Sequence, residues 1–254
     1  VGPAEATAIL AAGIAAGTIN AVVGSGSLIT FPTLLAFGLP PVVANVSNNI
    51  GLVPGNLSGA YGYRRELAGQ RGRLIRLGML SCAGGLAGAL LLLSLPAHAF
   101  QVIVPVLILI ACVLVIVQPR LSAWVAARRS RAADGKDHGH LVLGAGVLGS
   151  AVYGGYFGAA QGVLVIGLLG TFIDESLQRI NGAKNVLVAI VNGTAAVVYV
   201  ILAHPDWLAV LLIAVGSTIG GLLGARVGRR LPPLALRILI VVIGLIAAVK
   251  LIFF

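Results

Sequence analysis

Acidic residues are nearly missing from this chain. Only seven Asp and Glu stand among 254 residues, and charged residues of both signs make up 9%. A soluble domain carries roughly 25% charged residues. A chain this poor in charge cannot coat a water-facing surface, which excludes an ordinary soluble fold. The scarcity of carboxylates also argues against a dedicated cation pathway. Cysteine is down to Cys82 and Cys112, both in apolar segments and at no metal-ligand spacing. They read as small packing residues, and a disulfide framework or zinc site is excluded. His98, His138, His140 and His204 fall in loops or at segment ends. None is placed by sequence beside a serine, and His138-x-His140 is a weak metal pattern in a polar loop. No cofactor and no metal is implied. No secretory signal is visible.

What the chain has instead is hydrocarbon. Residues of hydrophobic type make up 59%, and mean hydropathy is +1.06. Apolar runs cover 74–95, 102–117, 186–202, 208–223 and 234–249, several approaching the roughly 20 residues that cross a bilayer as helix. These features predict an all-α polytopic membrane protein. The net charge of +10 would suggest nucleic acid on a soluble chain. Here the basic residues cluster in loops: Arg64, Arg65, Arg71, Arg73 and Arg76; then 119–140; then Arg226, Arg229 and Arg230. That distribution is orientation by the positive-inside rule, with these loops cytoplasmic and no nucleic-acid partner.

The chain also contains itself twice. Asn45, Asn49, Asn56 and Tyr63 recur 136 residues on as Asn181, Asn185, Asn192 and Tyr199. The same offset carries Ser81, Gly84, Gly85 and Gly88 onto Ser217, Gly220, Gly221 and Gly224, and Leu95-Pro96 onto Leu231-Pro232. The turn after Tyr63 is strongly basic, whereas the turn after Tyr199 has no Lys or Arg. Equivalent turns therefore fall on opposite sides, which predicts two inverted-topology repeats, the architecture of many secondary transporters. The division is 1–118 for the first repeat, 119–140 for a basic cytoplasmic linker, partly mobile, and 141–254 for the second. Helices are expected over 4–22, 28–37, 41–63, 74–94 and 99–118, then 141–157, 163–173, 176–202, 207–225 and 234–253. The segments 28–37 and 163–173 are too short for upright spans. They are short tilted helices or re-entrant hairpins, giving about 8–10 membrane segments.

Two polar constellations interrupt the apolar background. Gly24-Ser25-Gly26-Ser27 is a helix break, followed by a helix whose positive dipole end faces the gap. Its mate is Gly158-Ala159-Ala160-Gln161-Gly162. Irregular backbone at membrane depth is tolerated only where protein or a watery cavity satisfies it; close helix contact through small residues is the plainer alternative. The second constellation is Asn45-Val46-Ser47-Asn48-Asn49, mirrored by Asn181-Gly182-Ala183-Lys184-Asn185. Asn45 and Asn49 share one helical face, and amide NH2 groups donate to an anion without burying a charge. Asn56 and Asn192, deeper along their helices, fit a role in bonding the halves together. The adjacent acids Asp174 and Glu175 suit capping of the following helix better than proton coupling.

The stretch GSGSLITFPTLLAFGLPPVVANVSNNIGLVPGNLSGAYGYRREL (24–67) resembles the first-half signature of the TauE/SafE sulfite exporter family. The Gly85-x-x-Gly88 helix, Leu95-Pro96 and the basic linker also fit. GGYFGAAQGVLVIGLLG (154–170) and INGAKNVLVAIVNG (180–193) match more loosely, so the resemblance runs over nearly the whole chain. In this chain Ser25 and Ser27 interrupt the usual glycine run, and Ala159-Ala160-Gln161 stands where more glycine is common. The resemblance implies a bacterial inner-membrane permease for sulfite, organosulfonates or related anions, acting without enzymatic chemistry. It carries the binding role onto Gly24, Ser25, Gly26, Ser27, Asn48, Asn49, Gln161, Lys184 and Asn185. The expected partners are a small anion and the lipid bilayer, and a homodimer is compatible with the sequence. Alternating access would come from one half rocking against the other. A passive anion channel is the runner-up, and an intramembrane serine enzyme built on Ser25 or Ser27 is a more distant alternative.

Overall fold

The computed structural model describes residues 2–128, 136–227 and 233–253. Residues 129–135 of the linker, with Arg129 and Arg131, lie outside the described residues, as do Arg229, Arg230, Leu231 and Pro232. Ten helices follow one another: α1 (Pro3–Val22), α2 (Ser27–Ala36), α3 (Pro41–Gly62), α4 (Arg71–Ser94), α5 (Ala97–Arg128), α6 (Lys136–Tyr156), α7 (Gln161–Phe172), α8 (Leu177–Leu202), α9 (Trp207–Val227) and α10 (Pro233–Phe253). No strand occurs among the described residues.

Local chemistry sets the boundaries. Pro3 and Pro41 open α1 and α3, where a missing N–H costs nothing. α4 stops at Leu95, held extended by the following Pro96. The start of α8 is capped by Ser176, whose Oγ accepts the Arg179 N–H at 3.4 Å. The cap is thus Ser176, one residue beyond the expected Asp174-Glu175 pair. The linker is more helical than its polarity suggested. α5 runs on to Arg128 and α6 starts at Lys136, because Leu121-Ser122-Ala123-Trp124-Val125-Ala126-Ala127-Arg128 is rich in good helix formers.

Among the described residues, five helices are long and apolar enough to cross a membrane: Pro3–Val22, Arg71–Ser94, Ala97–Arg120, Leu177–Leu202 and Trp207–Arg226. α3 has 22 residues, but its asparagines keep its hydropathy down. The outer surface is hydrocarbon. Val102, Val106, Ile110, Val113 and Ile116 of α5 are all exposed, as expected of a lipid-facing stripe. The chain is a multi-pass membrane protein.

Paired residues give the helix directions. Along α9, Ile213, Ser217 and Gly224 meet Gly13, Gly17 and Thr18 of α1, while Ile213, Ser217 and Ala225 meet Gly51, Gly55 and Gly62 of α3. α1, α3 and α9 therefore run parallel. In the same way Gly84 and Gly88 of α4 meet Leu148 and Val152 of α6, so α4 and α6 run parallel. α3 and α8 are antiparallel: Asn49 meets Asn192, Gly59 meets Asn185 and Tyr63 meets Gly182. α2 runs against α3, since a four-residue turn joins them and Thr30 reaches Asn48. α1 and α2 consequently form a hairpin that returns toward the end at which α1 begins.

The packing is symmetric under exchange of the two halves. α1 lies on α9 as α6 lies on α4; α3 lies on α9 as α8 lies on α4; α2 meets α10 as α7 meets α5; α3·α8 and α5·α10 are self-paired. Each half therefore packs most extensively against the other. The repeated glycines explain the closeness. A Cβ at Gly85 would lie 2.9 Å from the Val191 carbonyl, and one at Gly224 would lie 2.5 Å from the Thr18 carbonyl. These small residues are helix-packing positions.

Candidate functional site

The site is built where the two short helices begin. α1 ends at Val22, and the chain reverses through Gly24, whose φ of +87° only glycine adopts without strain. The N–H of Gly26, at the head of α2, is taken by Asn20 Oδ1 at 2.7 Å. Asn20 Nδ2 in turn donates to Asn56 Oδ1 at 3.3 Å. One amide thus ties the end of α1 to the head of α2 and to α3. In the second half α6 ends at Tyr156, and the reversal uses Gly158 at φ +78° and Ala160 at φ +58°. Holding alanine in the left-handed region costs about 1–2 kcal/mol. The Tyr153 hydroxyl steadies this turn by donating to the Ala159 carbonyl at 2.5 Å.

The two turns touch. Gly162 N–H donates to the Gly24 carbonyl at 3.1 Å. A Cβ on either glycine would lie 2.5 Å from the other's Cα, so the contact is backbone on backbone. The heads of α2 and α7 therefore converge, each with its positive dipole end toward the meeting point.

Each broken helix is finished by the opposite half. The last carbonyls of an α-helix lack intrahelical partners. At the end of α1, Lys184 Nζ donates to the carbonyls of Asn20 at 2.6 Å and Ala21 at 3.2 Å, and Asn185 Nδ2 donates to Ala21 at 3.3 Å. At the end of α6, Asn45 Nδ2 donates to the Tyr156 carbonyl at 2.9 Å. From within its own half, the Tyr199 hydroxyl also donates to the Gly155 carbonyl. Lys184 is fully buried, at 0% exposure. Its stem runs past Gly162, where a Cβ would come within 3.0 Å of its Cδ. Among the described residues it forms no ion pair.

All nine residues expected at the site are buried. Gly24, Ser25, Gly26, Gln161, Lys184 and Asn185 gather at the two turns. Asn48 and Asn49 stand on the α2 and α8 flanks. There Asn48 Oδ1 accepts the Thr30 hydroxyl, and Asn49 Nδ2 donates to Asn192 Oδ1 at 3.4 Å. Ser27 is the first residue of α2 and is buried. Two buried polar atoms at the helix heads have no hydrogen-bond partner: Ser25 Oγ and Gln161 Oε1. Asn49 Oδ1 and Asn56 Nδ2 share that condition. Asn45 Oδ1, Tyr156 Oη and Asn181 Oδ1 are likewise unpartnered, and such orphans are uncommon in native interiors.

Asn20, Thr30 and Gly154 were not among the expected site residues. Asn20 had a legible signal, as the only amide in an otherwise apolar first helix, four residues before the break. Gly154 had none: it is small because the Gln161 side chain packs against its backbone, where a Cβ would collide.

Openings approach from both ends. One of about 620 Å³ lies between α2, α5 and α10, lined in part by Thr33, Gly38, Gln101 and Lys250. Another of about 290 Å³ lies at the basic end, where Arg73, Arg76, His140, Phe172 and Asp174 border the far end of α7. Neither is lined by Ser25, Gln161 or Lys184. Beside the second opening, Glu175 bonds Arg179 Nε at 2.5 Å and Arg73 at 3.5 Å. Arg179 also reaches the Ala68 carbonyl at 3.0 Å. The hydrogen bond from Arg179, together with both guanidinium charges, holds the Glu175 carboxyl below the usual carboxylate range.

Two broken hairpins meeting head to head inside a helical membrane protein are a transporter architecture, and comparison with known proteins agrees. Residues 9–251 match the family Sulfite exporter TauE/SafE, and the chain belongs to that family. It is similar to a probable membrane transporter protein, YfcA, of Escherichia coli K12, with 24% identity over 94% of this chain and 86% of the relative. A probable membrane transporter protein of Haemophilus influenzae is 25% identical over 95% of this chain and 92% of its own length. No solved structure matches.

Proposed function

We propose that the protein is a secondary transporter of a small sulfur-containing oxyanion, sulfite or an organosulfonate, in the bacterial inner membrane with its basic end cytoplasmic. The observation that carries this reading is the meeting of the α2 and α7 heads at Gly24 and Gly162, with the Ser25 hydroxyl buried and unpartnered and the Lys184 stem buried against Gly162. Helix N-termini, a hydroxyl, amides and an ammonium are the donors an oxyanion needs. The family name supports the sulfur chemistry.

The directions of the helices support an inverted pair of repeats, since α3 and α8, equivalent by sequence, run antiparallel. The rocking bodies are then not the sequence halves. They are two exchanged bundles, α1–α3–α9 and α4–α6–α8, with the broken hairpins at their seam. Burial of every candidate residue favours a carrier with an occluded site over an open channel. A serine enzyme would need a base on its nucleophile; Ser25 Oγ has no partner, and His98, His140 and His204 are exposed.

The test is flux of sulfite and methanesulfonate into proteoliposomes. Saturable counterflow is expected for the wild type, and Asn49→Leu and Asn185→Leu variants should be folded but inactive. Wild-type flux in both variants would remove the site from this place. Conductance at single-channel rates would replace the carrier by a channel.

A further inference from the structure

The charge inside this protein can be counted. Among the buried polar residues described, Lys184 alone is formally charged. Its position in the first half is held by Asn48, so the repeat supplies one cation and not two. Glu175, the acid nearest to it in sequence and just ahead of α8, is spent on Arg179 and Arg73 at the basic end. The helix ends add no net charge. Each broken hairpin brings one negative C-terminus, of α1 or α6, and one positive N-terminus, of α2 or α7, to the same place. The ammonium gives two of its three protons to the Asn20 and Ala21 carbonyls, which leaves one for a ligand. Everything else at the helix heads is neutral: Ser25, Gln161, Asn185 and backbone N–H groups.

Resting on the anion-transport reading above, we propose that this site takes singly charged oxyanions and rejects dianions, with Lys184 setting the charge it accepts. A monoanion beside Lys184 leaves the buried site neutral. A dianion leaves one uncompensated charge in a water-poor interior, the most costly of buried arrangements. A neutral ligand leaves the ammonium unmatched. Ligands of the type R–SO3⁻ and hydrogensulfite meet the requirement. Sulfate and thiosulfate do not. Tetrahedral shape and sulfur–oxygen chemistry are common to both groups, so charge is the discriminating property.

The experiment uses the purified full chain at constant ionic strength and three probes of similar size: methanesulfonate (one charge), sulfate (two) and dimethyl sulfone (none). Affinities come from ligand-induced thermal stabilisation. Methanesulfonate should bind at least tenfold tighter than either of the others. Lys184→Arg should keep that order, and Lys184→Gln should lower methanesulfonate to the level of the sulfone. Sulfate binding as tightly as methanesulfonate to the wild type would overturn the charge rule while the anion site stood. No response to either anion, or a response untouched by Ser25→Ala together with Gln161→Ala, would overturn the anion site itself. The wild-type series decides the matter even if Lys184→Gln does not fold.

Discussion

The two broken hairpins do the same job with different parts. In the first, Asn20 caps the head of α2, and the end of α1 is finished from across the molecule by Lys184 and Asn185. In the second, no side chain caps α7, Ala160 is held left-handed, Tyr153 steadies the turn, and a neutral Asn45 finishes the end of α6. Geometry is thus shared while charge is assigned to one side. Backbone direction and helix closeness depend on small residues, which the repeat preserves. The chemistry of the site depends on single side chains, and these have diverged.

The largest effect is expected where both hairpins meet. Gly162→Val would drive a branched side chain into Gly24 and the Lys184 stem. Several kcal/mol of destabilisation should follow, as for overpacking without slack, read as loss of folded protein on size-exclusion chromatography in detergent. Next comes Asn20→Leu, which orphans the Gly26 N–H and the Asn56 carbonyl oxygen. The loss should be about 2–6 kcal/mol at roughly 1–3 per unsatisfied group, with transport abolished; the midpoint of thermal unfolding checks it. Asn45→Ala and Asn185→Ala test the comparison directly, because each removes one amide bond to a helix end. Both should cost about 1 kcal/mol, yet only Asn185→Ala should weaken anion binding. Equal effects on binding would mean that the hairpins are functionally alike.

The smallest effect is at the basic end. Glu175→Gln removes two half-exposed ion pairs, worth roughly 0–1 kcal/mol together and screened by salt. Because the Glu175 carboxyl is held below its ordinary value, its contribution is present above the unfolded-state value and is lost as pH falls through the lowered folded value. Wild type and variant should therefore differ in thermal stability near neutral pH and converge once pH has fallen through the lowered folded value.

Much of this was legible in the chain. The scarcity of acids and the apolar runs announced a membrane protein, and the recurrence of Asn45, Asn49 and Asn56 is the ground for proposing two related halves. Nine of the ten helices begin within about three residues of the expected start, because proline, glycine and apolar run length act locally. The exception is α6, which starts five residues early, at Lys136. What could not be read was partnership. Asn48 and Asn49 look alike in sequence, yet one accepts from Thr30 and the other donates to Asn192. Lys184 looked like a ligand-binding cation, and it is also a cap for a helix more than 160 residues away. The repeated glycines of α4 and α9 had no partner legible in the sequence and proved to be helix contacts.

By itself the sequence determined the solvent of this protein, the order of its described helices and the two breaks. Each follows from hydrophobicity, backbone stereochemistry and spacing, which act over a few residues. Only the tertiary structure decided that short helices fold back, that the halves exchange their packing partners, and that a single buried ammonium closes a foreign helix end. These depend on directional hydrogen bonds and close backbone approach between segments far apart in the chain, for which sequence spacing holds no record.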